Sequence, residues 1–182
     1  MIEQHCSRAL AYALESVPEV ELVPGKFLSG GSVTARITYG QEMSFMTATR
    51  EPGYHSRPHA HDCEQLNYVV AGELYVFIDD IAVHVRKGDV FRVPRNALHW
   101  SWVQGSEPCT LLEVHVPPLL GDPGLLEGAA PLAAPNEILT PKAVPSEWPT
   151  ALDRDAIERI ALAKLRTVSS EFGEGNQNVE AP

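Results

Sequence analysis

A regular series of short β-prone runs fills the chain between residues 30 and 117 and constrains the fold more than any other feature. The runs are VTARITY (33–39), MSFMTAT (43–49), EQLNYVV (64–70), ELYVFID (73–79), IAVHVR (81–86), DVFRVP (89–94), HWSWV (99–103) and TLLEVHV (110–116). They are rich in β-branched and aromatic residues, and turn-forming stretches such as KGD and QGSEP separate them. Strands of this length and spacing are typical of antiparallel sandwiches and barrels, so the sequence predicts an all-β domain.

The segments on either side of the β-prone series have a different composition. Proline recurs after residue 117, which prevents both a central strand and a continued helix. The final stretch, EFGEGNQNVEAP, is polar and has the composition of a disordered tail. We therefore expect an N-terminal helix and lead-in over 1–29, a β-domain over 30–118, a Pro- and Ala-rich arm over 119–150, an amphipathic helix over 151–170 and a disordered tail over 171–182.

The expected helix over 151–170 has a clear two-faced pattern. Its apolar face would hold Ile157, Ile160, Ala161 and Leu165. Asp153 is a candidate N-cap. The opposite face would hold the charged residues Arg154, Asp155, Glu158 and Arg159. Such a helix must bury its apolar face against the barrel or against a partner subunit.

The net charge of the chain argues against nucleic acid and membranes as partners. Asp and Glu total 24 against 14 Lys and Arg, a formal net charge of −10, which repels nucleic acid and anionic lipid. The N-terminus has no secretory pattern, and no apolar stretch is long enough to span a bilayer. The three cysteines are widely spaced and form no CxxC pair, which favours reduced thiols. We expect a cytoplasmic protein that binds neither nucleic acid nor membrane.

The stretch HAHDCEQ, residues 59–65, has the spacing of a metal site. Alternate residues of a strand face the same side, so His59, His61 and Gln65 can point together. His99, after the strand and turn GDVFRVPRNAL, is the strongest candidate for a fourth ligand. Three imidazoles and an amide oxygen suit a divalent transition metal such as zinc, iron, nickel or manganese, with positions left open for substrate.

These residues resemble the first motif of the cupin superfamily. That motif is a glycine, five residues, His-x-His, three or four residues, a further ligand, six residues and a glycine. Here Gly53, His59, His61, Gln65 and Gly72 occupy its positions, with Gln65 as the third ligand.

The second cupin motif is a glycine, five residues, Pro-x-Gly, two residues, a histidine, three residues and an asparagine. Gly88, Pro94 and His99 match it, while Asn96 replaces the second glycine and Val103 the final asparagine. Asparagine tolerates the left-handed conformation that glycine would supply. The resemblance implies a single cupin domain, a jelly-roll or conical β-barrel with the metal inside it.

Three further residues face the expected interior. Asn67 has the same parity as Gln65, and we interpret it as a substrate contact or as a buried amide bonded to backbone. Glu113 and His115 share one face of the last strand. Burying a carboxylate and an imidazole there is energetically unfavourable unless each has a functional role or an interaction partner. They are our candidates for general acid–base catalysis. Alternatively, Glu113 is structural and pairs with an arginine such as Arg92 or Arg36.

A second resemblance concerns the end of the last strand. In uronate ring-opening monocupins this strand ends in an acid, an aromatic residue, two prolines and an arginine. Glu113 and His115 stand at the first two of these positions and Pro117 and Pro118 at the proline positions, but Leu119 replaces the arginine. The chain is more similar to the monocupin polyketide cyclases, which implies a small-molecule substrate.

Trp100 and Trp102 have parity opposite to His99, so we expect them to pack under the C-terminal helix or in a homodimer interface. Three functions remain open. The first is a metal-dependent enzyme that cyclises, isomerises or dehydrates a small keto or enol substrate, such as one derived from a polyketide or a sugar. The second is an Fe(II) dioxygenase, and the third is a non-catalytic cupin that binds a small molecule.

Overall fold

A computed structural model of the protein describes residues 11, 13–119, 129–132, 146–147, 149 and 151–168. The strands are β1 (Val20–Leu22), β2 (Leu28–Gly30), β3 (Val33–Tyr39), β4 (Ser44–Arg50), β5 (His55–Ser56), β6 (Ala60–His61), β7 (Glu64–Ala71), β8 (Glu73–Ile78), β9 (Ile81–Arg86), β10 (Val90–Val93), β11 (His99–Trp102), β12 (Cys109–Val116), β13 (Ala130–Pro131), β14 (Ser146–Glu147) and β15 (Arg166–Thr167). A 3₁₀ turn spans Leu14–Ser16, and the α-helix α1 spans Arg154–Ala163.

Two antiparallel sheets form the body of the domain, which confirms the prediction of an all-β fold. One sheet has the strand order β1-β3-β4-β12-β7-β10, and the other has the order β15-β9-β8-β11-β5-β2. Two short strands pair in parallel at the margins, β13 with β3 and β15 with β9. Strand β14 pairs with β6 in a small separate sheet.

The core lies between the two sheets and follows the alternation of the strands. Val33, Ala35 and Ile37 of β3 face inward together with Met46 and Ala48 of β4. Side chains of β7, β8, β9 and β12 complete the same apolar cluster. Because the interior side of each strand is set by parity, polar residues in the inward register are also carried into the barrel. This places the candidate site inside the domain.

The helix α1 packs against the sheet that contains β11. Asp153 is its N-cap, as expected, and accepts a hydrogen bond from the backbone nitrogen of Ala156. The predicted buried face is wrong in part, because Ile160 is 51% exposed and Leu165 is 40% exposed. Glu158, expected on the polar face, is buried instead.

The burial of Glu158 has a clear physical reason in the surface that α1 meets. Its carboxylate accepts a hydrogen bond from the indole nitrogen of Trp100 at 2.7 Å and lies 2.7 Å from Nε2 of His55. Trp102 stacks on His55, and Ala161 packs into the same cluster. The polar contacts of Glu158 therefore replace part of the expected apolar contact of α1. Both tryptophans pack near α1.

Several expectations concern parts of the chain outside the described residues. These are most of the N-terminal helix, most of the 119–150 arm and the whole of the 171–182 tail. Cys63 and Cys109 are buried, whereas Cys6 is not among the described residues. Within the described part of the chain, no helix has the length and apolar character needed to cross a bilayer.

Candidate metal site

Three histidines meet where β6 and β11 approach each other. His59 and His99 form an antiparallel bridge, with backbone N–H···O distances of 3.0 and 2.8 Å in the two directions. His61 lies two residues after His59 and points to the same side. One ring nitrogen from each of the three side chains falls within 4.8 Å of the others. The three histidines could therefore hold one metal ion.

The turn before His99 fixes its position relative to His61. Asn96 has φ of 61°, the left-handed conformation in which glycine was expected. Its backbone N–H donates to the carbonyl oxygen of His61 at 2.9 Å. This hydrogen bond ties the second motif directly to the first.

Hydrogen bonds at Nδ1 set the tautomer of the three rings. Nδ1 of His59 lies 3.0 Å from the carbonyl oxygen of Arg57, and Nδ1 of His99 lies 3.0 Å from that of Ala97. Nδ1 of His61 lies 3.2 Å from the carbonyl oxygen of Cys63 and 3.0 Å from its sulfur. Because a carbonyl oxygen only accepts, Nδ1 carries the proton, and Nε2 keeps the lone pair that a metal requires.

Burial keeps these rings neutral, which is the state that binds a metal. Burial lowers the pKa of His59 to about 4, although the Arg57 carbonyl opposes the shift. Burial also lowers the pKa of His61, and burial together with the neighbouring His59 holds the pKa of His99 well below its usual range. Nε2 of His61 is buried and has no hydrogen-bond partner among the described residues. A metal ion would satisfy this atom, so the residues present fit a divalent metal.

Gln65 lies beside the histidines with its amide orientation fixed. Its Nε2 donates to Oδ1 of Asn67 at 2.7 Å and to Oε2 of Glu113 at 2.8 Å. Both of these oxygens are acceptors, so the amide nitrogen must face them. The amide oxygen of Gln65 is left for another partner, and the side chain borders the same cavity as the histidines.

Asn67 lies behind Gln65, away from the cavity. It is almost completely buried, and its Nδ2 donates to the carbonyl oxygen of Phe91 at 3.4 Å. It is not among the residues that border the cavity. Its observed contacts are those of a residue that orients Gln65, and a contact with substrate stays a prediction.

Glu113 and His115 both lie inside the barrel, buried on β12. The arginine partner of Glu113 is Arg50, which donates from Nη2 to Oε1 at 2.5 Å. The two arginines named from the sequence pair elsewhere, Arg36 with Glu19 and Arg92 with Glu64.

His115 lies beside the same carboxylate and next to His61. Its Nε2 is 3.7 Å from Oε2 of Glu113, and its ring centroid is 5.9 Å from that of His61. Burial lowers the pKa of His115 to about 3, and the nearby His61 and Arg50 shift it in the same direction. His115 is therefore neutral near pH 7.

Sequence reasoning missed Arg50, although strand parity could have found it. Ser44, Met46, Ala48 and Arg50 of β4 form one buried, inward-facing row. An arginine in such a row needs an acidic partner. Burial alone would lower the pKa of Arg50, but attraction to Glu113 outweighs burial, and the pKa is raised above its ordinary value.

A mostly apolar cavity of about 110 Å³ joins these groups. Its polar border is formed by Arg50, Ser56, His59, His61, Gln65, His99, Ser101, Glu113 and His115. Leucine, valine, phenylalanine and methionine side chains form most of the remaining wall. A water molecule needs roughly 10–15 Å³ of such space, so the cavity can admit a small organic molecule.

Comparison with known proteins finds a cupin domain similarity within this barrel. Residues 46–115, which contain all the polar side chains of the site described above, match the cupin domain family. A search among curated proteins gave no significant match. The chain spans half the length of one matching solved structure, whose TM-score is 0.39.

Three of the matching solved structures illustrate the likeness, each with a TM-score above 0.5. They are a predicted oxalate decarboxylase from Thermotoga maritima (TM-score 0.52, 17% identity, covering 58% of this chain and 97% of that chain), a cupin-2 domain protein from Rhodospirillum rubrum (0.51, 17%, 58% and 73%) and the polyketide cyclase RemF from Streptomyces resistomycificus (0.51, 18%, 58% and 78%). At these identities the likeness shows the fold alone.

Proposed function

We propose, from the premise that residues 46–115 are a cupin domain, that the barrel is a metal-dependent enzyme for a small keto or enol substrate. The reaction would be a cyclisation, an isomerisation or a dehydration. The observation that carries this proposal is the meeting of three neutral histidines with the Glu113–Arg50 pair and His115 around one apolar cavity. Metal ligands and proton-transfer groups would then reach the same bound molecule.

The metal ligands in this proposal are His59, His61 and His99, with the amide oxygen of Gln65 as the fourth donor. All four donors are neutral, so a divalent zinc, iron, nickel or manganese ion would keep its full charge. Such an ion, when bound, supplies Lewis-acid polarisation of a carbonyl oxygen.

Glu113 is the proposed proton acceptor. Arg50 and Gln65 hold its two oxygens in place, so the carboxylate keeps one orientation toward the cavity. His115 is neutral and lies beside Oε2, where it can pass or receive a proton through the carboxylate or a water. Most of the wall around these groups is apolar, which strengthens their polar contacts.

A second candidate function is non-catalytic binding of a small molecule. One observation favours it, because both oxygens of Glu113 already accept hydrogen bonds from protein donors. In that case the Arg50–Glu113 pair is only structural. The dioxygenase alternative uses the same histidines with Fe(II) and requires oxygen consumption.

Hydrogen exchange at carbon tests these functions without knowledge of the natural substrate. Protein purified without a histidine tag is analysed for metal and incubated anaerobically in D₂O with small ketones, and loss of the α-hydrogen signal is followed by NMR. We expect exchange that depends on zinc, nickel or manganese and stops when the metal is chelated. Bound metal without exchange supports the binding function, and iron with oxygen uptake supports the dioxygenase.

Two histidine variants provide a matched control for the metal assignment. His99→Ala should lose both metal and exchange, because it removes one of the three clustered ring nitrogens. His84→Ala changes a partly exposed histidine that pairs with Glu73 outside the cavity. Equal metal content in the two variants would contradict the proposed site.

A further inference from the structure

Among the described residues, the buried side-chain atoms that lack a hydrogen-bond partner are Nε of Arg50, Nε2 of His61 and Nδ1 of His115. All three residues border the same cavity. Buried polar atoms are almost always paired in folded proteins, so their concentration at one cavity needs an explanation. Nε2 of His61 belongs to the candidate metal site, which leaves Arg50 and His115 for a ligand.

The two remaining atoms have opposite hydrogen-bonding character. Nε of Arg50 carries a hydrogen and can only donate. Nε2 of His115 lies 3.7 Å from Oε2 of Glu113, beyond hydrogen-bond distance, and the negative charge of the carboxylate favours the tautomer with the proton on that nitrogen. Nδ1 of a neutral imidazole with the proton on Nε2 can only accept. The cavity therefore offers one unused donor and one unused acceptor.

Both of these residues flank Glu113. Oε1 of Glu113 binds Arg50, and Oε2 is the oxygen nearest His115. The carboxylate already balances the charge of Arg50, so a ligand needs no negative charge at this point. A second carboxylate would instead lie close to Glu113 in a poorly solvated space, which is unfavourable.

We propose that the cavity selects a small, mostly apolar molecule with a carbonyl oxygen bound to Nε of Arg50 and a hydroxyl group bound to Nδ1 of His115. The ligand class is an uncharged hydroxy ketone, in preference to a carboxylic acid or a hydrocarbon of similar size. The inference rests on the proposed function, because it names the substrate class of the same cavity. Its two recognition contacts are made by protein side chains alone.

The test uses metal-free protein, so that a failure of the metal assignment does not affect it. The probes are meta-hydroxyacetophenone, acetophenone and ethylbenzene, which have nearly the same shape but differ in the hydroxyl and carbonyl groups. Affinities are measured by NMR titration for the wild type, His115→Phe and Arg50→Lys. Melting curves and backbone spectra confirm that each variant is folded.

The variants should act on different probes. His115→Phe removes the acceptor, so it should weaken binding of meta-hydroxyacetophenone about tenfold and leave acetophenone unchanged. Arg50→Lys keeps the positive charge beside Glu113 but removes the Nε donor, so it should weaken both ketones about tenfold and leave ethylbenzene unchanged. A uniform change for all three probes, or no change for any of them, would overturn the proposal.

A measurement on the wild type covers the case in which a variant does not fold. The side-chain Nε–H signal of Arg50 should shift when acetophenone is added and stay in place when ethylbenzene is added. Benzoate tests the charge preference and should bind more weakly than acetophenone. An unmoved Nε–H signal with acetophenone bound, or tighter binding of benzoate, would overturn the proposal.

Discussion

Glu113→Gln should destabilise the protein strongly, because it leaves the guanidinium of Arg50 buried without a counter-charge. The side chains of Arg50 and Glu113 are only 8% and 2% exposed, and their atoms lie 2.5 Å apart. The variant also turns an acceptor into an amide that cannot accept from both Arg50 and Gln65 at once. Both effects disfavour the folded state.

The expected loss follows from the burial of the pair. Removing one partner of a buried ion pair costs about 3–5 kcal/mol in the free energy of unfolding. For a chain of this length, that loss lowers the melting temperature by roughly 6–20 °C. Glu64→Gln is the matched control, because its pair with Arg92 lies on the surface with side chains 49% and 61% exposed. The control should lose about 1 kcal/mol or less.

Urea unfolding at pH 7, followed by circular dichroism, measures both variants. A double variant, Arg50→Met with Glu113→Leu, removes both buried charges and should recover most of the stability. If Glu113→Gln and Glu64→Gln lose the same small amount, the Arg50–Glu113 pair does not stabilise the fold and the reasoning is refuted. α-Hydrogen exchange per folded molecule of Glu113→Gln then separates a catalytic carboxylate from a structural one.

Three further predictions concern other parts of the molecule. The metal-free protein should lose stability as the pH falls from about 6.5 toward 4. The pKa of His59 is about 4 in the folded protein and about 6.5 in the unfolded chain, so the unfolded chain takes up the proton at a higher pH. Unfolding curves at several pH values check this. Glu158→Ala should cost about 1–3 kcal/mol by leaving the Trp100 indole N–H unpaired, whereas Asp155→Ala, at an exposed position, should be nearly neutral in the same assay. The acidic chain with α1 and its arm should form a homodimer, and a monomer mass by light scattering at micromolar concentration would contradict this.

The strands and the inward residues could be predicted from the sequence, because the side-chain alternation of a strand is a local property. The run VTARITY coincides with β3, and TLLEVHV forms all of β12 except its first residue. The same parity placed His59 and His61 on one side and carried Glu113 and His115 into the interior. Asp153 capped α1 as its position before the helix indicated.

Parity does not say which residues meet across the barrel. Arg50 and Glu113 are 63 positions apart in the chain, and the pairing of β4 with β12 determines that their side chains meet. Gln65 and Glu113 are likewise brought together by the pairing of β7 with β12. The orientation of the Gln65 amide depends on these neighbours, so no local pattern could specify it.

Only the tertiary structure decided the buried face of α1. Helical periodicity correctly marks a segment as amphipathic, but it ranks the faces of the helix by hydrophobicity alone. It carries no information about the surface that each face contacts in the folded protein. That surface presents the indole N–H of Trp100 and the imidazole of His55, both of which need a polar partner. Glu158 is buried for this reason, because a hydrogen-bonded carboxylate at that contact is more stable than an aliphatic side chain that would leave two buried polar groups unpaired.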